Sequence, residues 1–256
     1  MNNKYKIGIT LSGGGARGIA HTGVLHALEE AGIRPEIISG CSSGALIGAL
    51  YAAGLPPLEI FQFVEKKSLY NLIKMGMPNK GMMELAYFRQ VLTKNLPHDS
   101  FEKLKKPLFI SVTNLNKGVS EIVSTGRIID YVIASSSIPL IFKPVQIGKY
   151  FYVDGGVINN LPVEPLRPVC DLLIGVNVNG VKDTSRLNGM WDVGFRVLLL
   201  SLMVNMEKNI KMCDVLIEPP TGDYTIFSVN KAKELFDHGY DATKKKIVEI
   251  KEKLAN

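Results

Sequence analysis

The chain is poor in the residues that build disulfide frameworks and zinc sites. Its 256 residues include only three cysteines, Cys41, Cys170 and Cys213, and no CxxC pair. An odd count without paired spacing excludes a disulfide framework and a cysteine-based zinc site. We therefore predict reduced thiols and a cytoplasmic location.

Long apolar runs are lacking as well. The opening residues MNNKYKIGIT contain no apolar signal core, and the longest apolar stretch, Val197 to Val204, is interrupted by Ser201. A membrane-spanning helix needs about 20 apolar residues, so we predict that no segment crosses a bilayer. Peripheral contact with a membrane surface stays open.

An excess of one charge is also small. Thirty Lys and Arg against 24 Asp and Glu leave a net charge of +6, and the basic residues are scattered, which argues against a nucleic-acid partner. The chain shows no repeat, no linker and no low-complexity tract. We predict one globular domain over residues 1–256, with the oligomeric state left undetermined.

What the sequence does contain is an alternation of strands, turns and helices. Lys6 to Leu11 predicts a buried strand that ends in glycines, and Ile19 to Ala31 has helical spacing. A second strand, turn and helix follow by Ala53, which predicts a parallel α/β fold. Further predicted elements are strands at Pro107–Leu115, Gly118–Val123 and Leu172–Val178, helices at Glu84–Leu96, Ile128–Ser135 and Trp191–Met212, and a hairpin at Val145–Val153.

The turn between the second strand and second helix has the spacing of a nucleophile elbow. It reads Gly40-Cys41-Ser42-Ser43-Gly44, a G-x-S-x-G pattern between a strand and a helix. Side chains two residues before and after the serine would clash in so tight a turn, which explains Gly40 and Gly44. The following helix N-terminus favours developing negative charge. Ser42 is the predicted nucleophile; an ordinary tight turn of small residues is the alternative.

A glycine-rich loop follows the first strand. Bare amides of Gly13, Gly14 and Gly15 at a helix start make an anion cradle, which in a hydrolase is an oxyanion hole. Gly13-x-Gly15-x-x-Gly18 also satisfies a dinucleotide-binding fingerprint. That alternative needs an acidic residue at the far end of the second strand, whereas Glu36 lies at its start.

A serine nucleophile needs a base, and the four histidines offer little. His21, one turn into the first helix, is the best of them, with His98 another candidate. Asp154 closes a predicted strand and is followed by Gly155 and Gly156, which permit close approach to another backbone. A carboxylate is a weak base unless burial raises its pKa. An Asp-Gly turn is the structural alternative for Asp154.

Together, these blocks resemble the patatin-like phospholipase family, closest to its small bacterial branch, which resembles the neuropathy-target-esterase catalytic domain. The resemblance covers Ile7 to about Ile217, and the ordered set is specific although each block alone is weak. Its blocks are Gly13 to Gly18, Gly40-x-Ser42-x-Gly44, Ala134 to Val145, Asp154-Gly155-Gly156 and Asn159-Asn160-x-Pro162. One departure is that Cys41 and Ser43 flank the serine, where the family commonly has a pair such as Thr and Ala.

The resemblance implies a three-layer α/β/α fold with a mostly parallel sheet and a Ser42–Asp154 dyad in place of a triad. It implies hydrolysis of lipid esters by an esterase or phospholipase through an acyl-enzyme, without metal or other cofactor. It places the oxyanion hole at Gly13 to Gly15. Arg17 and Gly18 would brace that loop.

The irregular apolar segment Ser68 to Met83 is a candidate lid or acyl-contacting segment, with an irregular packed connection as its alternative. Two other functions remain open. One is an acyltransferase that uses the same elbow with a histidine, and the other is a non-catalytic regulatory module on this fold.

Overall fold

The computed structural model describes residues 4–65, 89–90, 92–180 and 189–255. Its strands are β1 (Tyr5–Leu11), β2 (Ile37–Cys41), β3 (Leu108–Asn114), β4 (Val119–Val123), β5 (Val145–Ile147), β6 (Tyr150–Asp154), β7 (Cys170–Val176) and β8 (Val215–Ile217). Its helices are α1 (Ala20–Glu30), α2 (Ser43–Ala52), α3 (Pro57–Glu65), α4 (Ile128–Ser135), α5 (Met190–Val204), α6 (Glu207–Ile210), α7 (Ala232–Lys244) and α8 (Ile247–Ala255). Residues 89–90 and 92–95 are helical too.

The strands form one mixed sheet in the order β5-β6-β3-β2-β1-β7-β8, with β4 paired to β3 outside this path. The five strands β3, β2, β1, β7 and β8 run parallel, and β4, β5 and β6 add antiparallel pairs at one side. The carboxyl ends of parallel strands meet at one edge of a sheet. The turns after β1 and β2 therefore lie side by side.

Both faces of the sheet are covered. Successive side chains of a strand point to opposite faces. Two clusters of buried apolar side chains lie on the two faces. The larger cluster contains Ile38 of β2 and Ile174 of β7, and the second contains their neighbours Ile37 and Leu173. The sheet is thus the middle of three layers, as predicted.

Strand β3 brings two distant parts of the chain together. On one edge it pairs β4 from Ile110 to Asn114. On the other edge it pairs with two strands in turn. Its first part pairs with β2, ending where Ser111 lies opposite Cys41. Its last part pairs with β6, beginning where Val112 lies opposite Asp154. Because β2 runs parallel to β3 and β6 antiparallel, the carboxyl ends of β2 and β6 meet end to end at neighbouring residues of one strand.

One predicted helix is wrong in its length. The sequence predicts a single helix from Trp191 to Met212, but α5 ends at Val204 and α6 begins at Glu207. Asn205, a residue that competes with helical hydrogen bonding, follows α5. Met206 then turns into the second apolar cluster, where it is buried. The break lets this part of the chain leave the surface and enter the core.

The segment Ser68 to Met83 lies outside the described residues, as does the start of the helix predicted at Glu84–Leu96. Within the described ranges, every helix is too short or too polar to cross a bilayer.

Candidate active site

Ser42 sits in a strained turn between β2 and α2. Its φ of 51° and ψ of −121° lie where a residue with a side chain is rarely found. Such strain costs on the order of 1–3 kcal/mol and persists only where the surroundings enforce it. The residue is 4% exposed. This is the backbone expected of a nucleophile elbow.

The flanking glycines are required by space. A Cβ on Gly40 would lie 2.5 Å from the carbonyl oxygen of Gly44, and one on Gly44 would overlap the backbone oxygen of Leu11. These close approaches agree with the steric reason predicted for the two glycines.

Asp154 ends β6, and its carboxylate lines the same pocket as Ser42. One carboxylate oxygen, Oδ1, accepts the Gly156 amide at 2.8 Å and faces the Cys41 thiol at 3.6 Å. Burial raises the pKa of Asp154 from 3.8 to about 6, against hydrogen bonds from Ser42, Gly156 and Cys41 that lower it. This carboxylate is therefore a stronger base than an exposed one.

The two glycines after Asp154 allow its turn to pack closely. A Cβ on Gly155 would overlap the backbone oxygen of Ser111, and one on Gly156 would lie 2.8 Å from Oδ1 of Asn160. The end of β6 is thus pressed against β3, as the prediction of close backbone approach requires.

The glycine loop corrects one predicted role. The amide of Gly13 donates to both the carbonyl oxygen of Asn160, at 3.2 Å, and its side-chain Oδ1, at 3.1 Å. Gly13 is therefore not a free oxyanion donor, because its hydrogen is already shared between two acceptors. The amides of Gly14 and Gly15 have no acceptor among the described residues, and both glycines line the pocket beside Ser42.

Contacts from later in the chain hold this loop. Nε of Arg17 donates to the carbonyl of Tyr224 at 2.6 Å, and the amide of Ala16 donates to Ile226 at 2.8 Å. Gly18 packs against Ser43, whose Cβ would be 2.5 Å from a Cβ at position 18. These contacts are consistent with a bracing role for Arg17 and Gly18, which stays a prediction.

The histidine candidates do not reach the serine. Nε2 of His21 is hydrogen-bonded to the carbonyl of Ser12 at 2.8 Å, and burial lowers the pKa of His21 to about 4. His98 is exposed, and the described pocket lining contains no histidine. A base role for either histidine has no support in this geometry.

The dinucleotide alternative also lacks its acidic residue. Glu36 accepts the backbone amide of Lys6 at 2.9 Å, at the start of β1 and β2. The glycine loop lies at the other end of the same strands. Among the described residues, no cluster of three His, Cys, Asp or Glu side chains could hold a metal ion.

A pocket opens above Ser42, Asp154, Gly14 and Gly15. Its other described walls are mainly apolar and come from separate parts of the chain: Ile138, Pro139, Val157, Asn160, Asn179, Leu199 and Ile226. This arrangement places a serine hydroxyl, a carboxylate and two backbone amides without a described acceptor in one mainly apolar pocket, which suits acyl transfer from an ester with an apolar chain.

Sequence reasoning missed several of these residues. Asn160 belongs to a block of the family resemblance but was given no role there. Asn179, which donates to the Gly13 carbonyl at 2.7 Å, had a local signal, since polar residues after the end of a parallel strand lie at the sheet's functional edge. Leu199 and Ile226 had none.

Two curated proteins show what this chain is similar to. Lysophospholipase nte1 of Aspergillus fumigatus is 29% identical over 283 residues, covering 96% of this chain and 18% of that protein. Lysophospholipase NTE1 of Saccharomyces cerevisiae is 27% identical, covering 92% and 16%. The chain thus spans less than a fifth of the length of these relatives.

The crystal structure of VipD from Legionella pneumophila superposes with a TM-score of 0.58 at 18% identity, covering 96% of this chain and 67% of that one. The likeness supports the fold alone. The sequence profile described as "Patatin-like phospholipase" matches residues 9–167. The match confirms the predicted resemblance and fold, and it supports the predicted enzyme class, an esterase or phospholipase. Because it extends over more than half of the chain and includes both Ser42 and Asp154, this chain belongs to the patatin-like phospholipase family.

Proposed function

We propose that this chain is a serine hydrolase of lipid esters, of the phospholipase A, lysophospholipase or carboxylesterase type, with Ser42 and Asp154 as its catalytic dyad. The observation that carries the proposal is that Ser42, in its strained turn, lines the same pocket as the buried carboxylate of Asp154, whose pKa is raised. The names of the matched relatives, both lysophospholipases, support the substrate class.

In the proposed reaction, Asp154 takes the hydroxyl proton of Ser42 while Oγ attacks the ester carbonyl carbon. The amides of Gly14 and Gly15 donate to the resulting oxyanion. Losing one such donor typically costs about 3 kcal/mol of transition-state stabilisation. The intermediate collapses to an acyl-enzyme, and the proton on Asp154 passes to the departing alcohol. Water, deprotonated by Asp154, then releases the fatty acid and restores Ser42.

The test is turnover of a short p-nitrophenyl ester and of a lysophospholipid by the wild type, Ser42→Ala and Asp154→Asn. Each change is expected to lower kcat by about 1000-fold or more, because the dyad acts as a unit. Ser43→Ala is the matched control: this neighbouring hydroxyl is buried and has no described hydrogen-bond partner, so activity should persist. Turnover that survives Ser42→Ala would refute the proposal.

A fluorophosphonate probe separates catalysis from the non-catalytic alternative. It should label native wild-type protein at Ser42 and leave Ser42→Ala unlabelled, since labelling requires an activated serine and an oxyanion site. Product analysis with an added alcohol or thiol acceptor would separate hydrolysis from acyl transfer: we expect free fatty acid as the main product.

We also propose that the pocket mouth meets a lipid surface. Helix α5 contributes Leu199 to the pocket, and the same helix exposes Met190, Val193, Val197 and Leu200 at helical spacing. The exposed fraction of the Val197 side chain is 57%. An apolar face continuous with an apolar pocket would let an ester pass from a bilayer or micelle to Ser42 with little exposure to water.

Vesicle co-sedimentation tests this contact. Val197→Asp should weaken binding to phospholipid vesicles and lower turnover of vesicle substrate, while hydrolysis of a soluble short ester stays near wild type. Val248→Asp is the control, because Val248 is 67% exposed on α8 and is not among the described pocket residues. Equal loss of vesicle binding in both variants would contradict a surface on α5.

A further inference from the structure

Three consecutive serines, Ser135, Ser136 and Ser137, end helix α4 and follow it. They belong to a block of the family resemblance for which no role was predicted. Their hydroxyls donate to three different carbonyls: Ser135 to Ser111 at 2.7 Å, Ser136 to Val132 at 2.9 Å and Ser137 to Ile133 at 2.8 Å. The second and third bonds stay within one turn of chain, whereas the first crosses to β3.

The Ser135 hydroxyl has a second partner. Its oxygen accepts the backbone amide of Ser42 at 2.8 Å, and Ser135 is fully buried. Without this acceptor, the Ser42 amide would be buried with no partner among the described groups, at a residue whose backbone is already strained. A buried unpaired amide is costly, so the turn would relax toward another conformation.

The same end of α4 also holds the base. The backbone amide of Asp154 donates to the carbonyl of Ser137 at 3.0 Å. Residues 135 and 137 therefore fix the backbones of Ser42 and Asp154 respectively, from a single turn of chain. Through Ser135 the hold extends to Ser111, the β3 residue against which Gly155 packs.

We propose that Ser135 is a positioning residue that sets the Ser42 hydroxyl in line with Asp154 and the pocket. The inference rests on the proposed function, because a positioning residue matters only if Ser42 is the nucleophile. It has one further consequence. The amide of Ser42 is committed to Ser135, so it is not available as a donor to the oxyanion.

The neighbouring Ser136 supplies the control. Ser135→Ala should lower kcat for a short p-nitrophenyl ester by about 100-fold with little change in KM, because misplacing a reacting group by a fraction of an ångström acts on the chemical step. Ser136→Ala removes a hydroxyl bond of similar length, to Val132, and should keep kcat within about threefold of wild type. Equal losses of kcat in the two variants, or an unchanged kcat in folded Ser135→Ala, would overturn the proposal.

A second pair covers the case in which Ser135→Ala does not fold. Ser135→Thr keeps the hydroxyl and Ser135→Val replaces it with a methyl group at nearly the same volume. We expect the threonine variant to be at least about tenfold more active per folded molecule. Equal activity of the two folded variants would also overturn the proposal.

Hydrogen exchange at the Ser42 amide distinguishes the positioning role from the proposed function. The exchange should be faster in Ser135→Ala than in Ser136→Ala, whether or not the protein hydrolyses esters. If Ser42→Ala retained turnover while this exchange difference was observed, the catalytic proposal would fail and only the structural hold would stand. If the exchange rates were equal, the Ser135 inference itself would be wrong.

Discussion

At the scale of single residues, Asp154, the base of the proposed reaction, destabilises the folded state when its buried carboxylate is ionised. Burial raises the pKa of Asp154 to about 6, so in the unfolded chain this group loses its proton at lower pH than in the folded one. The free energy of unfolding therefore falls as pH rises from about 4 to about 6. Above about pH 6 the carboxylate is ionised in the folded state as well, and the free energy of unfolding stays at its lowered value.

Asp154→Asn should consequently be more stable than wild type at pH 7, by about 3 kcal/mol. The gain should shrink as pH falls and vanish below the ordinary pKa of an aspartate. Urea unfolding at several pH values measures this difference. An unchanged or lower midpoint at pH 7 would contradict the burial argument, and a gain that persisted undiminished at low pH would point to a cause other than ionisation.

The thiol of Cys41 offers a second prediction at the same site. Burial and the neighbouring carboxylate raise the pKa of Cys41, so the sulfur keeps its proton and can donate it to Asp154. The other groups that lower the pKa of this carboxylate, the Ser42 side chain and the Gly156 amide, do not titrate near pH 6, and no charged side chain contributes to its shift. The thiol stabilises the ionised form.

Cys41→Ala should then move the acid limb of the kcat/KM profile to higher pH, because the carboxylate loses a donor. Cys41→Ser retains a hydroxyl donor and should leave the limb nearer its wild-type position. The midpoint of the limb does not depend on how much protein is folded. A limb that moves to lower pH in Cys41→Ala would refute the assignment.

The sequence alone singled out Ser42 and Asp154 as candidates because Ser42 lies between Gly40 and Gly44 and Asp154 is followed by Gly155 and Gly156, which are local patterns. It could not assign the amide of Gly13, whose acceptor, Asn160, is 147 residues away. A hydrogen bond across that separation leaves no periodic trace near either partner. The role of Ser135 could not be predicted either, because a run of three serines does not show which hydroxyl accepts the Ser42 amide.

At the scale of elements, helices α1 and α7 approach so closely that only glycine fits between them. A Cβ on Gly23 would overlap the carbonyl oxygen of Phe236, and one on Gly239 would overlap that of Ala20. Both obstacles are backbone atoms, which cannot move aside without shifting a helix.

Gly239→Ala should therefore lower the free energy of unfolding by about 2 kcal/mol or more, although alanine is the better helix former. Gly194→Ala in α5 is the matched control, because a Cβ there meets no atom of the described residues within 4 Å, and it should be neutral or gain up to about 1 kcal/mol. Urea midpoints compare the two. Equal effects would show that the helices have room to separate.

The elements themselves were largely predictable. β1, α1, β3, α4 and the β5–β6 hairpin lie within a few residues of their predicted positions because apolar periodicity is local. The order of strands in the sheet was not predictable in the same way. The break at Asn205 was missed because apolar residues continue on both sides of it, and only the second cluster, assembled from distant residues, draws Met206 inward.

At the scale of the whole molecule, the site extends beyond the part of the chain that the family profile matches. That match ends at residue 167, yet Asn179, Leu199 and Ile226 line the pocket and Tyr224 anchors Arg17. The last third of the chain therefore shapes the loop that would bind the oxyanion.

Arg17→Lys tests this dependence. Lysine keeps the charge but cannot reproduce the Nε bond to the Tyr224 carbonyl, so the glycine loop loses a tether and kcat should fall about tenfold with a nearly unchanged KM. Arg34→Lys makes the same substitution at an exposed position and should leave kcat unaltered. A larger effect on KM than on kcat would indicate that Arg17 contacts substrate.

Strands β2 and β6 end at adjacent residues of β3. The distance between the Ser42 hydroxyl and the Asp154 carboxylate is therefore set by the backbone of the central sheet. Helices other than α2 and α4 can tilt or fray without changing that distance; α2 begins directly after Ser42, and the end of α4 bonds to the backbones of Ser42 and Asp154. On warming, the turnover rate per folded molecule should therefore rise smoothly until the central sheet unfolds. Heat inactivation should coincide with the loss of the sheet.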